Sequence, residues 1–358
     1  MQRIHPFLLI LILMVSGCNQ TTWYKGNTHT HTVLCGHADS TPEVVTRWYH
    51  DRDYNFLILS EHNKFIDPAT VKLEGDIRKD FILVPGEEVT GRKTIHTTAM
   101  NISRLVPWHF DHKDRSGIIQ QHVNATREAG GTTILNHPNF GWAVKAEDVI
   151  PVKNLHMFEL YNGHPSVRNF GDAHHPSTEV QWDTMLTAGM KVYGVASDDA
   201  HNFAKWGDKV SNPGRGWVMV QAAELTPDAL TNAMLAGNFY SSSGVILKVL
   251  KPGSNSITVE VDTTATDKEL TSPILPGSPI KAGNPGYEIS FIGPGGEAVK
   301  TVKGTRATCK VPDDKAYLRA KVTLRKHRKD GSVAAYHAWI QPVFTDERGS
   351  SPTVASAR

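Results

Sequence analysis

Short apolar runs bounded by turn residues recur along the chain up to about Gly244. Runs of this length are typical of buried β-strands. Segments with helical spacing lie between them, and several begin with a capping residue followed by proline or end at glycine. The helical segments are residues 42–54, 116–129, 179–188 and 227–236. Strands separated by helices predict an α/β fold with a mainly parallel sheet or barrel.

The pattern changes after Gly244. Apolar and polar residues alternate there, no helical period appears, and Gly, Pro, Asn and Asp separate the alternating segments, which are residues 256–262, 287–292, 307–311, 316–323 and 336–344. This texture predicts a small all-β, sandwich-like domain of about one hundred residues. We place the boundary near residues 242–244.

Polar residues follow the apolar runs of the first part at the point where each predicted strand ends. These residues are Glu61, His62 and Asn63; Glu87 and Glu88; Asn136 and His137; Glu159 and Asn162; and Asp198, Asp199 and His201. In parallel α/β barrels, chemistry collects at the carboxyl ends of the strands. The sequence therefore predicts one functional site built from many strand ends.

The densest group of candidate ligands is His29, His31 and His37. On an extended segment His29 and His31 point to the same side, so both imidazoles can hold one metal ion. His37 follows a glycine turn and can reach a neighbouring ion. Imidazole with carboxylate suits zinc, manganese or iron, and a carboxylate from Glu87 or Glu88 can bridge two cations. The pattern thus predicts a metal centre.

The order of these motifs is specific, although a single His-x-His is common. The chain carries His29-Thr30-His31, Glu61-His62-Asn63, Pro85-Gly86-Glu87-Glu88, His96, His137-Pro138 and Asp199-Ala200-His201, in that order. This series resembles the polymerase-and-histidinol-phosphatase (PHP) family of metal-dependent phosphoesterases, over roughly residues 23–245. The resemblance implies a distorted (β/α)7 barrel, here followed by the small all-β domain.

Carried over by position, the resemblance implies a trinuclear site that hydrolyses esters with a metal-bound hydroxide. The first metal would be held by His29, His31, Glu88 and Asp199, the second by His37, His62 and His201, and the third by Glu88, His96 and His137. Glu88 would bridge, and the residues expected to be catalytic are Glu88, Asp199 and His201. Glu88 is preferred to Glu87 because the family motif is Pro-Gly-x-Glu, and Asp199 to Asp198 because it is Asp-x-His.

The chain departs from the family pattern at three positions. Asn27 stands where many members have Asp, Glu61 replaces the usual Asp before His62, and His37 stands near where some members use Asp. A site with two metals therefore stays open, with Asp39 as the alternative ligand. Residues expected beside the ligands or the substrate are Glu61, Asn63, Glu159, Asn162, Arg168, Asp198 and Lys205.

The remaining histidines and the cysteines have simpler expected roles. We expect His50 and His122 on helix surfaces, His109 and His112 in a loop that could roof the site, and His174-His175 as a solvated pair. A disulfide between Cys35 and Cys309 stays open. Cys35 is not expected to bind metal, since enough other ligands surround it.

Further segments of the chain resemble one branch of the PHP family. Residues 23–27, 197–201, 239–244 and 339–342 resemble the branch that includes carbaryl hydrolases, in which a β-domain follows the barrel. That branch contains predicted phosphoesterases and a carbamate hydrolase. The expected function is a phosphoesterase, with carbamate, ester or amide hydrolysis on the same site as the alternative. A non-catalytic metal- or glycan-binding protein is the other class. Because all candidate ligands precede Gly244, the β-domain is expected to be separable from the chemistry.

The N-terminal segment has the pattern of a lipoprotein signal. Arg3 precedes an apolar run over residues 7–15, which ends in Val15-Ser16-Gly17-Cys18. This predicts a signal peptide over residues 1–17 and lipidation of Cys18, with an ordinary signal peptide as the alternative. Asn19 after the Cys favours the outer membrane, facing the periplasm.

Composition excludes one class of partner. The formal net charge is +2, and the only basic run is the short one at residues 325–329, so nucleic acid is not expected as a partner. We expect a small-molecule ester substrate, membrane contact through the lipid only, a barrel domain over residues 18–245, a β-domain over 246–345 and a flexible tail over 346–358.

Overall fold

The computed structural model describes residues 21–108, 114–253, 255–271, 278–279, 285–327 and 332–347. The predictions for the signal segment, for Cys18, for His109 and His112, and for the tail beyond residue 347 lie outside these ranges. The described residues form a mixed α/β fold with sheets of ten, five and three strands.

Among its described residues, the first part contains ten strands and five α-helices. The strands are β1 (Thr22–Thr30), β2 (Phe56–Leu59), β3 (Ile82–Leu83), β4 (Gly86–Thr90), β5 (His96–Met100), β6 (Thr132–Leu135), β7 (Met157–Asn162), β8 (Tyr193–Ser197), β9 (Trp217–Ala222) and β10 (Phe239–Ser242). The helices are α1 (Pro42–His50), α2 (Arg115–Glu128), α3 (Ala146–Val149), α4 (Thr178–Thr187) and α5 (Pro227–Leu235). The long helices confirm the predicted ones. Helix α1 ends earlier than expected, since Asp53 adopts a left-handed backbone at φ 61°.

Strand direction differs from the prediction in part of the molecule. Strands β1, β2 and β3 are parallel, and so are β6, β7 and β8. Strand β4 runs antiparallel to β5, and β5 to β6. The segment between β4 and β5 is a short turn, whereas a parallel pair needs a crossover of roughly a dozen residues or more. The expected mainly parallel sheet is therefore wrong for this hairpin.

A continuous barrel is not confirmed, because the strand ladder of the described residues divides into separate sheets. Single bridges connect the sheets where strands end, one between Thr30 and Ala200 and one between His62 and Glu88. The amide of His31 donates to the carbonyl of Ala200 at 2.9 Å. These bridges bring the ends of β1, β2, β4 and β8 together.

The second part is almost entirely β. Its strands are β11 (Leu247–Gly253), β12 (Ser256–Val261), β13 (Ser278–Pro279), β14 (Gly286–Ile292), β15 (Ala298–Lys303), β16 (Arg306–Lys310), β17 (Tyr317–His327) and β18 (Val333–Phe344). It also contains α6 (Thr263–Thr271), which the sequence pattern did not predict. Tertiary contacts anchor this short helix, since Thr266 is buried and Glu269 pairs with the buried Lys25 at 2.8 Å. Packing can stabilise helices that lack a clear amphipathic period.

Two sheets face each other in this part. Strands β11, β12 and β16 pack on β14, β17 and β18, and residues such as Ile257, Phe291 and Val322 form the apolar layer between them. However, β18 also pairs with β10, so the large sheet crosses the proposed boundary without a break. Tyr317 and Trp339 join the core of the first part. The domain limits thus stay a prediction.

Polar contacts also join the two parts. The side-chain amide of Gln341 accepts from the Gly194 amide and donates to the Gly194 carbonyl, both at 2.9 Å. The fully buried Arg319 contacts both carboxylate oxygens of Asp183 at 2.7 and 2.6 Å and lies over the Trp182 ring. The second part therefore completes the hydrogen bonding of β8 and α4.

Replacing Arg319 by methionine should destabilise the protein by about 3–5 kcal/mol, because the Asp183 carboxylate would stay buried without a cationic partner. Urea unfolding followed by circular dichroism measures the effect. Arg325→Met is the control, since Arg325 pairs with Glu288 at 3.2 Å but both side chains are partly exposed, and it should cost no more than about 1 kcal/mol. Equal losses in both variants would contradict the prediction.

None of the helices in the described part of the chain is long and apolar enough to cross a membrane.

Candidate metal centre

The predicted metal ligands converge where the sheets meet. His29 lies on β1 and His31 follows it directly, while His37 follows the 3-10 turn Val33–Cys35. The other ligands lie on or shortly after strands of both sheets. A cavity of about 420 Å³ opens there. The predicted ligands that line it are His37, His62, Glu88, His96, His137, Asp199 and His201. His29 and His31 lie beneath them, fully buried.

The Glu88 carboxylate lies at the centre of the imidazoles and is almost fully buried. Its Oε1 is 3.2 Å from His96 Nδ1, and its Oε2 is 2.7 Å from His62 Nδ1. Ring nitrogens within 2.7 to 3.5 Å of its two oxygens belong to His29, His31, His62, His96 and His137. Glu88 thus contacts five of the seven histidines that are predicted as ligands.

Asp199 is the second carboxylate of the cluster. Its Oδ1 lies 3.4 Å from His29 Nε2 and 3.3 Å from His31 Nε2. The backbone of Asp199 has φ 49°, and that of His137 has φ 23°. Left-handed backbone at non-glycine residues costs free energy and is concentrated at functional sites. The fold therefore holds the backbone of both residues in a conformation that costs free energy.

Hydrogen bonds fix which nitrogen of each ring faces the cluster. His29 Nδ1 lies 2.8 Å from Glu159 Oε1, so its N–H donates to that carboxylate and Nε2 faces His31 Nε2 at 3.2 Å. His201 Nδ1 donates to the Asp199 carbonyl at 3.0 Å. A carboxylate or carbonyl on the far nitrogen is the usual arrangement for a metal-binding imidazole.

Several buried nitrogen and oxygen atoms of the cluster that could bind metal have no hydrogen-bond partner among the described residues. These atoms are His31 Nδ1, Glu88 Oε2, His137 Nδ1 and His201 Nε2. His62 Nδ1 lies 2.7 Å from Glu88 Oε2, but its hydrogen-bond partner is Thr90 Oγ1, also at 2.7 Å. Buried polar atoms without partners are costly. The arrangement fits bound cations, which these donors would satisfy.

The pKa shifts show which forms of these groups the metal-free cluster favours. Burial raises the pKa of Glu88, but the charges of His29 and His96 outweigh it and hold the pKa well below its usual range. Burial lowers the pKa of His31 well below its usual value and that of His201 to about 4. Burial lowers the pKa values of His29, His62 and His137 as well, but the neighbouring carboxylates outweigh it and raise them. The cluster thus offers ionised carboxylates, and bound cations would displace the protons that these three rings hold without metal.

Four of the residues predicted beside the ligands do lie there. Glu159 accepts from the His137 amide at 2.7 Å, and Asn162 Nδ2 donates to Glu159 at 2.8 Å and contacts Asp199 at 3.3 Å. Asn63 exchanges hydrogen bonds with the backbone of Thr90. Glu61 accepts from Thr32, and burial raises the pKa of Glu61 to about 7.

The other predicted neighbours lie elsewhere. Arg168 and Lys205 are exposed, neither lines the cavity, and the Arg168 guanidinium lies 5.0 Å above the Trp142 ring. Asp198 accepts hydrogen bonds from Tyr49 and from the backbone of residues 214–216, so it fixes that loop and not His201. Asp39 accepts from the amides of residues 203 and 204.

Three expectations about other residues need correction or detail. His122, expected on a surface, is fully buried, its Nδ1 lies 2.9 Å from Thr97 Oγ1, and burial lowers its pKa to about 3. Cys35 and Cys309 are unpaired, since Cys309 lies in the apolar layer between the sheets of the second part. Glu87 points away from the cluster, and its Oε1 accepts from the Val106 amide at 2.5 Å.

Sequence reasoning missed four residues that line the cavity: Phe140, His164, Asn202 and Ser211. His164 Nδ1 accepts from the Ser166 amide at 3.1 Å, so the neutral ring carries its hydrogen on Nε2. His164 therefore offers a donor to a bound molecule. Its position directly after Asn162-Gly163, at the end of β7, was the signal that could have identified it.

A scan against protein-family models and a search of curated proteins give no match. Among solved structures, the chain is similar to the 2.20 Å crystal structure of a two-domain protein containing a predicted PHP-like metal-dependent phosphoesterase from Bacteroides vulgatus. The identity is 14%, the match covers 85% of this chain and 91% of that one, and the TM-score is 0.44. A likeness this distant carries neither fold nor activity over to the present chain.

Proposed function

We propose that this protein is a metal-dependent hydrolase, with phosphoester hydrolysis as its reaction. The observation that carries the proposal is the Glu88 carboxylate, buried among five imidazoles and adjoining a cavity that also exposes Asp199 and His201. Motif order supports a PHP-type site with two or three ions of zinc, manganese or iron. His29, His31, Glu88 and Asp199 would hold the first ion, His37, His62 and His201 the second, and Glu88, His96 and His137 the third.

Spacing within the cluster supports part of this assignment. Ligand atoms lie within 4.8 Å of one another in groups that comprise His29, His31 and Glu88; His29, His137 and Asp199; and His31, His62 and His201. Glu88 contacts histidines from more than one of these groups, as a bridging carboxylate should. His31 belongs to two of these groups, so it would lie between neighbouring ions.

Bound divalent ions would polarise an ester oxygen and lower the pKa of a water molecule towards about 7. Residues of the chain would orient the metal ligands and contact the substrate. Glu159 and the Asp199 carbonyl hold the rings of His29 and His201 in place. Phe140 and Asn202 line the cavity, and His164 would present its Nε2 hydrogen to the substrate. None of these roles needs a serine or cysteine nucleophile.

Carbamate, ester or amide hydrolysis on the same site is the second candidate. The described residues that line the cavity include no Lys or Arg. A phosphomonoester dianion gains most from such cations, whereas a carbamate or carboxylic ester needs little charge compensation. Turnover of a panel of phosphomonoesters, phosphodiesters and carbamates by metal-loaded protein decides between the bonds. A fully loaded protein that turns over none of them would favour the alternative of a non-catalytic metal- or glycan-binding protein.

The purified protein should contain two or three transition-metal ions per chain, because magnesium alone would not require so many histidine ligands. Elemental analysis after gentle purification and metal reloading measures the content. Removing the ions with a chelator should abolish turnover, and adding zinc or manganese back should restore it. Less than one ion per chain after reloading would contradict the trinuclear site.

We also propose that the protein is exported and held by a lipid on Cys18 at a bacterial membrane, facing the periplasm. The support is the sequence Val15-Ser16-Gly17-Cys18 after the apolar run. Cys18→Ala should prevent lipidation and move the protein out of the membrane fraction. Incorporation of a labelled fatty acid measures this, and equal label in the wild type and the variant would refute the lipid anchor.

A further inference from the structure

Cys35 lies beside the candidate metal centre although no motif of the PHP resemblance includes it. It ends the short 3-10 turn Val33–Cys35, and Gly36 follows at φ 87°, a conformation that suits glycine. The turn directs the chain back to His37. As a result, ligand atoms of Cys35, His37 and His201 all lie within 4.8 Å of one another.

Buried nitrogen and oxygen atoms without hydrogen-bond partners lie next to the thiol, as expected where a cation binds. His201 Nε2 is buried without a hydrogen-bond partner among the described residues, and its residue is 8% exposed. On the other side, Cys35 forms a second such group with His31 and Glu61, both fully buried. His31 Nδ1 and Glu61 Oε2 lie 3.9 Å apart, and neither hydrogen-bonds to another group, apart from the interaction of the Glu61 carboxylate with the Cys35 thiol. The thiol thus lies between two sets of unsatisfied donors.

We propose that the Cys35 thiolate is a further ligand of the metal ion bound by His37 and His201. The inference rests on the proposed metal centre and deepens it. On binding, the thiol transfers its proton to water and the sulfur forms a bond to the metal, as coordinating thiols do. Together with His62, which the proposed centre assigns to the same ion, the two imidazole nitrogens and the sulfur supply the four ligands of a tetrahedral zinc site. Water or substrate would then bind as a fifth ligand.

The consequence is metal selectivity at one position of the centre. Thiolate is a soft ligand that favours zinc, whereas carboxylate and water suit manganese and magnesium. The ion held by His37, His201 and Cys35 is therefore zinc, while the position around Glu88 and Asp199, which has harder ligands, accepts manganese as well. Replacing Cys35 by serine should lower the preference for zinc over manganese at this position by about tenfold or more.

Cobalt substitution tests the ligand directly. Cobalt bound by a thiolate gives a strong near-ultraviolet charge-transfer band, which imidazole and carboxylate ligands do not give. The cobalt-loaded wild type should show the band, and so should Cys309→Ser, whose thiol lies in the apolar layer of the second part. The Cys35→Ser variant should not show the band. It should bind at most one ion fewer than the wild type. A wild type that binds cobalt fully without the band, or a Cys35→Ser variant that keeps it, would overturn the proposal.

Alkylation of the wild type gives a second measurement that does not depend on the variant folding. Iodoacetamide should modify Cys35, which is half-buried, at least about tenfold faster in the metal-free protein than in the zinc-loaded one, because a coordinated thiolate is protected. Peptide mass spectrometry locates the modified residue. Equal rates with full zinc content would refute the thiolate ligand and leave the metal centre standing. A wild type that binds no metal would refute both.

Discussion

Replacing Glu88 by glutamine should reduce kcat for the best substrate by about 10³-fold or more, which corresponds to roughly 4 kcal/mol in the barrier. Glutamine keeps the shape of the side chain but removes the negative charge that lies within 3.5 Å of ring nitrogens on every side. The cations held by those rings would repel one another without a shared carboxylate. Turnover and elemental analysis of the same preparation would show whether activity falls together with the number of bound ions.

Glu87→Gln is the matched control, since the two glutamates are neighbours on β4. Glu87 Oε1 accepts from the Val106 amide, which a glutamine oxygen also accepts. Burial raises the pKa of Glu87 to about 7, so much of its charge is already neutralised near neutral pH. This variant should keep turnover and metal content close to those of the wild type.

The two variants test the ligand register and the bridging role of the carboxylate separately. An inactive Glu87→Gln with an active Glu88→Gln would mean that the ligand register is displaced by one residue. Near wild-type turnover in both would refute a mechanism that depends on a bridging carboxylate.

Sequence could predict which side chains meet, because the information is local. Most ligands sit on or directly after an apolar run, and the carboxyl ends of parallel strands lie at one edge of the fold. Glu88 and His96 are the exceptions, because they lie in the antiparallel hairpin of β4 and β5, whose direction the sequence pattern did not predict. Glu88 and Glu87 alternate along β4, so only one of them can face the cluster. His164 was missed although the same rule applied to it, since it follows the end of β7.

The positions of other side chains could not be predicted from the sequence, because contacts between distant residues determine them. His122 is buried because Gly91 lacks a Cβ; a Cβ there would lie 2.4 Å from His122 Nε2. Asp198 turns away from the cluster because the amides of residues 214–216 bind its oxygens. The pairing of β18 with β10 joins segments almost a hundred residues apart. No hydrophobic period along the chain reports any of these contacts.

The second prediction with a large effect follows from that pairing. Ending the chain at residue 245 should prevent folding of the metal site, although every candidate ligand is retained and the sequence pattern suggested a separable domain. The truncation exposes the edge of β10 and removes Tyr317, Trp339 and Phe344 from the core of the first part. It also leaves the buried amide and carbonyl of Gly194 on β8 without Gln341.

Loss of these contacts should reach the site, because β8 leads directly into Asp199 and His201. Full burial of one large side chain is worth about 1.5–3 kcal/mol, so losing three of them is comparable to the whole stability of a typical domain, about 5–15 kcal/mol. We therefore expect a fragment that aggregates or unfolds without a cooperative transition and binds metal poorly. A chain that ends at residue 347 keeps every described strand and should fold and bind metal normally. Thermal unfolding and elemental analysis of both chains test the expectation, and a soluble fragment ending at 245 with a sharp transition and full metal content would show that the first part folds alone.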